Sequence, residues 1–152
     1  MFRNKLFISF LFLFSVFISF TKASTVNDPD RVCGKWMSAE KNLMVQVYKE
    51  DGAFRAKIIW FKNEDNSKPM EEWRDKHNPD ETLRNRRLIG MSILQGLDYI
   101  PKSNSWENGK IYDPKHGREW DASAYINKEG QLKVTGYWHF KFIGRTMTFV
   151  RV

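Results

Sequence analysis

The sequence predicts an all-β protein: a single domain built as an eight-stranded, up-and-down antiparallel barrel, with one long loop or short helix between strands three and four. Three observations predict it. Beyond residue 24 the chain divides into short runs rich in Val, Ile, Thr, Tyr, Phe and Trp, several of them alternating apolar with polar residues. Turn sequences separate the runs, the sharpest being Asp51-Gly52, whose type suits the positive φ angles of a two-residue hairpin. Most connections are short enough for neighbours in sequence to pair in space, and closing the last strand on the first leaves no exposed edge. A two-sheet sandwich is the rival architecture.

Val32–Ser38 opens the series, with Gly34 and Trp36 on one face and Cys33, Lys35 and Met37 on the other. Leu43–Glu50, the Asp-Gly turn and Ala53–Lys62 form a hairpin. In its second arm Phe54, Ala56, Ile58 and Trp60 share a face that points away from Arg55 and Lys57. Later strands are expected at Leu88–Leu97, Lys110–Asp113, Arg118–Ile126, Gln131–Trp138 and Arg145–Val152. Pro114-Lys115-His116-Gly117 and Asn127-Lys128-Glu129-Gly130 are the turns between neighbours.

The stretch from Asn63 to Arg87 is too long for an ordinary connection and must carry structure or function of its own. Asn78 is placed to cap a short helix over Pro79–Arg86, Pro79 suits its first position, and Glu81 completes a capping box. A weaker helix is expected near Met70–Lys76, with Trp73 packed down. The loop is expected to plug the barrel mouth, or else to close over it as a lid.

The first 23 residues say where the protein works. Arg3 and Lys5 precede Leu6 to Phe20, a run of apolar residues and serines, and Thr21-Lys22-Ala23 ends in a small residue. That is the layout of a secretory signal peptide. Fifteen residues at ~1.5 Å rise reach about 22 Å, short of a ~30 Å hydrocarbon core, so cleavage near Ala23 is favoured over a membrane anchor. The expected organisation is a signal peptide at 1–23 and one β-barrel domain at 24–152. Loss of Arg3, Lys5 and Lys22 lowers 25 basic residues to 22, against 18 acidic ones, a surplus of +4. That is ordinary solubility charge, and export removes the protein from nucleic acid. Cys33 is the only cysteine, so no internal disulfide forms; it reads as a small apolar residue, with an intermolecular bridge as the alternative.

Candidate chemistry is sparse. His77, His116 and His139 stand apart, without metal-ligand spacing. There is no GxSxG, no activated cysteine and no phosphate loop. A loop-borne hydrolase using His77, His116 and Asp113 is the least supported reading. The apolar faces say more. Phe54, Ile58, Trp60, Trp120, Val134 and Trp138 are expected on a common interior face, as packed core or as the lining of an apolar cavity.

Two distant features then act together. Gly34-Lys35-Trp36 is a GxW on the first strand, and Arg151 lies on the last strand in phase with Met147 and Phe149. This resembles the calycin pattern of lipocalins and fatty-acid-binding proteins, in which an arginine packs over the first-strand tryptophan and closes the barrel. Gly34, Trp36 and Arg151 are thus the expected closure residues, and the fold a calycin-like (lipocalin-like) barrel. A fuller similarity runs along the chain: GKW, KIIW, HNPDETLRNRRLIGMSIL, WENGKIYDPKHGREW, GQLKVTGYW and the terminal TFVRV. These resemble domain of unknown function family 2147, small exported proteins of Gram-negative bacteria. The sequence departs at Trp120 and Phe149, where Tyr and Trp are expected. That family carries no assigned reaction.

The resulting expectation is a periplasmic or secreted barrel, not an enzyme, that binds a small partly apolar molecule in its interior. The alternative is a filled barrel serving as an interaction or structural module of the cell envelope. Expected partners are a small apolar or lipid-like ligand or an envelope protein. No nucleic acid, cofactor, metal or stable membrane insertion after signal cleavage is expected.

Overall fold

The computed structural model describes residues 27–63 and 68–152. The expected signal peptide and its cleavage point lie outside the described residues. Eight strands follow one another around a closed barrel: β1 (Gly34–Ser38), β2 (Leu43–Glu50), β3 (Ala53–Phe61), β4 (Ser92–Ile100), β5 (Ser105–Asp113), β6 (Arg118–Ile126), β7 (Leu132–Tyr137) and β8 (Arg145–Arg151). Each pairs antiparallel with the next, and β8 returns to β1 through Trp36–Arg151, Met37–Val150 and Ser38–Phe149. Asp51 and Gly52 have φ angles of 51° and 82°, the signs a type I′ hairpin turn demands.

Strand alternation divides the connections between two ends. A 3₁₀ turn at Pro29–Val32, the turns β2–β3, β4–β5 and β6–β7, and the C-terminal end of β8 share the first end. The turns β1–β2 and β5–β6, the long β3–β4 connection and the β7–β8 connection share the second. The core fills the barrel between them. Trp36, Trp106, Phe54, Leu97 and Leu132 are almost wholly buried, with Val45, Val47, Ala122, Val134 and Phe149 around them.

Two irregularities move residues off their expected faces. Between β2 and β3 the register shifts, so that Val45 faces Ile58 but Met44 faces Trp60. The extra residue is a β-bulge, and it turns Trp60 to the outer face while Phe61, opposite Leu43, packs on the core. Along β5, Asn108 (φ 63°) sits in a register shift between Trp106 and Gly109. A bulge of this kind bends the strand without ending it. β5 therefore starts at Ser105 rather than at Lys110, and Trp106 joins the core.

The expected helices shrink to single turns. Asn78 Oδ1 does accept the Asp80 N–H at 2.9 Å, as a cap would, and its Nδ2 holds Asp75, but no helix follows over Pro79–Arg86. Asp80 takes over, accepting from Thr82 N–H at 2.9 Å ahead of a 3₁₀ turn at Glu81–Leu83. Glu81 pairs instead with Arg84 at 2.9 Å. A second 3₁₀ turn covers Met70–Glu72, after which Trp73 meets the edge of Phe61 with ring centroids 6.3 Å apart. β4 begins at Ser92 and not at Leu88, since Leu88 N–H bonds back to Trp73 within the loop and Gly90 takes φ 81°.

Candidate functional site

The first end is shut by two indoles handled alike. Trp36 Nε1 donates to the Val32 carbonyl at 2.8 Å, and Trp106 Nε1 donates to the Pro29 carbonyl at 3.2 Å. Both acceptors lie on the N-terminal 3₁₀ turn, which is thereby pinned across the barrel base. Each indole also carries a guanidinium: Arg151 Cζ lies 4.2 Å from the Trp36 ring centroid and Arg31 Cζ 5.4 Å from that of Trp106. Arg151 donates to the carbonyls of Cys33 and Arg31, and Arg31 donates to Asn104. Such stacking leaves the cation partly wet while its carbons cover the ring. Gly34 has φ 133°, and a Cβ there would fall 2.6 Å from Arg151 Nη1, so both the backbone and the arginine require glycine. The Trp106–Arg31 pair escaped the sequence reading, which began this strand at Lys110, beyond the bulge.

The second end is built differently. On β6 the inward series runs Ala124, Ala122, Trp120, Arg118; on β7 it runs Leu132, Val134, Gly136 and then Trp138 just past the strand. Trp120 and Trp138 meet edge to face with centroids 6.0 Å apart, and Trp138 is 62% exposed. A Cβ on Gly136 would meet Ile111 at 3.1 Å and Trp120 at 3.8 Å, so Gly136 forms the floor beneath the pair. Two clefts open there. One, of about 460 Å³, is lined by Arg118, Glu119, Trp120 and Trp138; the other, of about 200 Å³, by Lys110, Glu119, Trp120, Asp121, Trp138 and His139.

Geometry explains why this rim is not filled. β1 pairs only with Phe149, Val150 and Arg151 of β8, so residues 145–147 have no β1 partner and Met147, on the inward series, is 39% exposed. A tight turn at His139 (φ 63°), closed by Phe140 N–H to the Trp138 carbonyl at 2.7 Å, carries the chain outward. The connection then lies along β7, with Gly144 against Gly136 and Thr135 and Lys141 paired to Glu107. Trp138 stays 62% exposed beside it.

The described part of the long β3–β4 connection is fastened to β5. Its Asp75 carboxylate is fully buried and accepts from Tyr112 Oη at 2.7 Å, Asn78 Nδ2 at 2.7 Å and Arg86 Nη2 at 2.8 Å. Burial pushes this carboxyl up, but the hydrogen bonds from Asn78, Tyr112 and Arg86, with the charge of Arg86, outweigh it and hold its pKa below the ordinary value. The Tyr112 phenol is pushed up to about 12, by burial first and then by its bond to Asp75. Gly117 (φ 62°) completes the fastening, because a Cβ there would fall 1.8 Å from the His77 carbonyl oxygen. The loop is a docked buttress on β5 and the β5–β6 turn.

The six candidate lining residues therefore separate. Phe54, Ile58 and Val134 belong to the packed core, Trp60 stands on the outer face, and Trp120 and Trp138 come together at the rim. Asp113 and His116 also meet, at 2.6 Å, and the His77 main chain packs beside Gly117. No Ser, Thr or Cys bonds to either histidine among the described residues. Cys33 is half-buried, and burial, with Asp30 nearby, raises its pKa and keeps the thiol protonated. No group of three or more His, Cys, Asp or Glu is placed to hold a metal among the described residues, and no helix there is long and apolar enough to cross a membrane.

Comparison with known proteins agrees with this geometry. Nothing among curated proteins matches the chain. Among solved structures it is similar to protein HP1028 from the human pathogen Helicobacter pylori, described as belonging to the lipocalin family. The likeness has a TM-score of 0.66 and 26% sequence identity, and it covers 79% of this chain and 82% of that one. A family model described as an uncharacterized protein conserved in bacteria (DUF2147) matches residues 34–151. The chain belongs to that bacterial family, and it carries the family match on a closed, lipocalin-like barrel of eight strands.

Proposed function

We propose that this protein is an exported binding protein that takes a small, partly apolar molecule at the open end of its barrel, against Trp120 and Trp138. One observation carries the reading: an aromatic pair, Trp138 exposed and Trp120 half-buried, lines a cleft of about 460 Å³ above a packed core. That volume falls within the ~300–1,000 Å³ of small-molecule sites, and indoles give large contact area at little entropic cost. The sequence reading placed the ligand in the barrel interior; the packed core around Phe54, Ile58 and Val134 shifts the proposal to the rim. Export to the periplasm or medium rests on the signal-peptide layout of residues 1–23. The likeness to a protein described as a lipocalin supports a carrier role.

The test is a tryptophan-fluorescence titration of the exported chain with a panel of small amphiphiles and aromatics. A saturable change, lost in the Trp120→Leu, Trp138→Leu double variant, is the expected result. A flat response across the panel sinks the reading. A second reading is favoured by the β7–β8 connection, where Phe140 and Phe142 stack 5.5 Å apart and Phe142 is 85% exposed. Such a patch suits an envelope protein partner. Crosslinking in the cell envelope, compared with a Phe140→Ser, Phe142→Ser variant, tests it.

A further inference from the structure

We propose that the β7–β8 connection docks the barrel, reversibly, on an anionic lipid surface, with its apolar side chains entering the headgroup boundary. The inference goes beyond the rim site and stands whether or not the cleft takes a ligand. Phe140, Phe142 and Ile143 are each more than half exposed, and exposed Trp138 leads into them. Apolar side chains crowded together in this way, rather than scattered singly, mark an interaction site. The turn that carries them is built and held. The N–H groups of Phe140, Ile143 and Gly144 donate to the carbonyls of Trp138, Phe140 and Lys141 at 2.7, 3.2 and 3.1 Å. A Cβ on Gly144 would fall 2.6 Å from the Gly136 carbonyl oxygen, so the connection lies tight on β7.

Two properties select a lipid surface over a protein. Lipid offers main-chain groups no partners, so a segment entering it must bond its own, as these three N–H groups do. An outward turn also enters a fluid boundary without a complementary shape, and that depth favours aromatic side chains beside basic ones. Charge then selects the kind of lipid. No Asp or Glu follows Glu129 in the sequence, so β7, the connection and β8 hold cations alone, Lys141 and Arg145 among them. Of the carboxylates on neighbouring strands, Glu107 pairs with Lys141, Asp121 with Lys110 and Asp113 with His116. Glu119 edges the larger cleft beside Arg118. Arg145 is left without an ion pair among the described residues. An anionic surface supplies that counter-charge, whereas a second copy of the chain would bring a second Arg145 against it.

The experiment floats the exported chain on a density gradient with vesicles of phosphatidylcholine, or of phosphatidylcholine with phosphatidylglycerol added. The chain rises with the anionic vesicles, and lipids brominated on the acyl chain quench its tryptophan emission. Added salt weakens the binding. The Phe140→Ser, Phe142→Ser variant lowers the partition coefficient at least about tenfold. Arg145→Gln lowers it about fivefold on anionic vesicles and leaves it unchanged on phosphatidylcholine alone. Failure to float with either vesicle, or flotation that the phenylalanine variant keeps, overturns the proposal. Equal binding to both vesicles overturns its charge selectivity. A crosslink to an envelope protein without flotation overturns it in favour of that partner. Flotation, salt and quenching are read on the unaltered protein, so the outcome does not depend on how the variants fold. A small molecule in the rim cleft changes the fluorescence without carrying the chain up the gradient, so the two readings fail separately.

Discussion

At the sealed end Trp36 and Trp106 are wholly buried, each giving its N–H to a main-chain carbonyl and each lying under an arginine. At the open end Trp120 and Trp138 touch only edge to face, and their neighbours Arg118 and Arg145 stay out of ion pairs among the described residues. The same two residue types are locked in one place and left available in the other. The first arrangement commits both indole N–H groups and both guanidinium groups to the fold and serves stability. The second leaves aromatic area open to water, at a cost to stability.

Variants break or sharpen this contrast, and the largest effect is expected at the sealed end. Trp36→Ala or Trp106→Ala should cost ~3–5 kcal/mol, read by urea unfolding. A variant that melts like the parent breaks the comparison outright.

Asp75→Asn should follow, at about 3 kcal/mol, because it strands Arg86 against a neutral amide and removes an acceptor from Tyr112. Its pH dependence has a definite sign. The folded pKa of Asp75 lies below the ordinary ~3.9, so its contribution is full above that pH and drains away as pH falls through the lower folded value. The Tyr112 pKa is raised to about 12, so its contribution is full below ~10 and is lost as pH rises through about 12. Asp75→Asn should flatten the acid limb and lower the phenol pKa in an ultraviolet titration.

Arg151→Ala should cost ~1–2 kcal/mol, the scale of one cation–π contact plus hydrogen bonds that water replaces. Trp120→Leu and Trp138→Leu mark the smallest effect on stability, each within ~1 kcal/mol, while abolishing the fluorescence response to ligand. A loss of stability at the rim as large as that for Trp36→Ala would erase the difference between the ends.

Much of the barrel was legible along the chain. The Asp51-Gly52 turn, the alternation through Phe54, Ala56 and Ile58, and the phase of Arg151 with Phe149 are local patterns with local causes. Trp60 was misplaced because one bulged residue reverses the parity of everything after it, and a bulge leaves no periodic trace. Trp106 was missed because a bulge interrupts its strand and the reading began only beyond it, at Lys110. Asp75 stood among scattered acids, and only the approach of Tyr112, distant in sequence, makes it a buried anchor. For the candidate site, the sequence supplied Trp120 and Trp138 but set them beside Phe54 and Val134 in one lining.

By itself, then, the sequence determined the strands, their order and the residues that join the last strand to the first, since alternation and turn chemistry act over a few neighbours. Which inward residues become core and which face water was decided only in three dimensions. β1 is shorter than β8, the β7–β8 connection folds outward, and the long loop docks on β5, so the packing stops one layer below Trp120 and Trp138. How many side chains cover a position is a sum over distant segments, and no single stretch of the chain holds that sum.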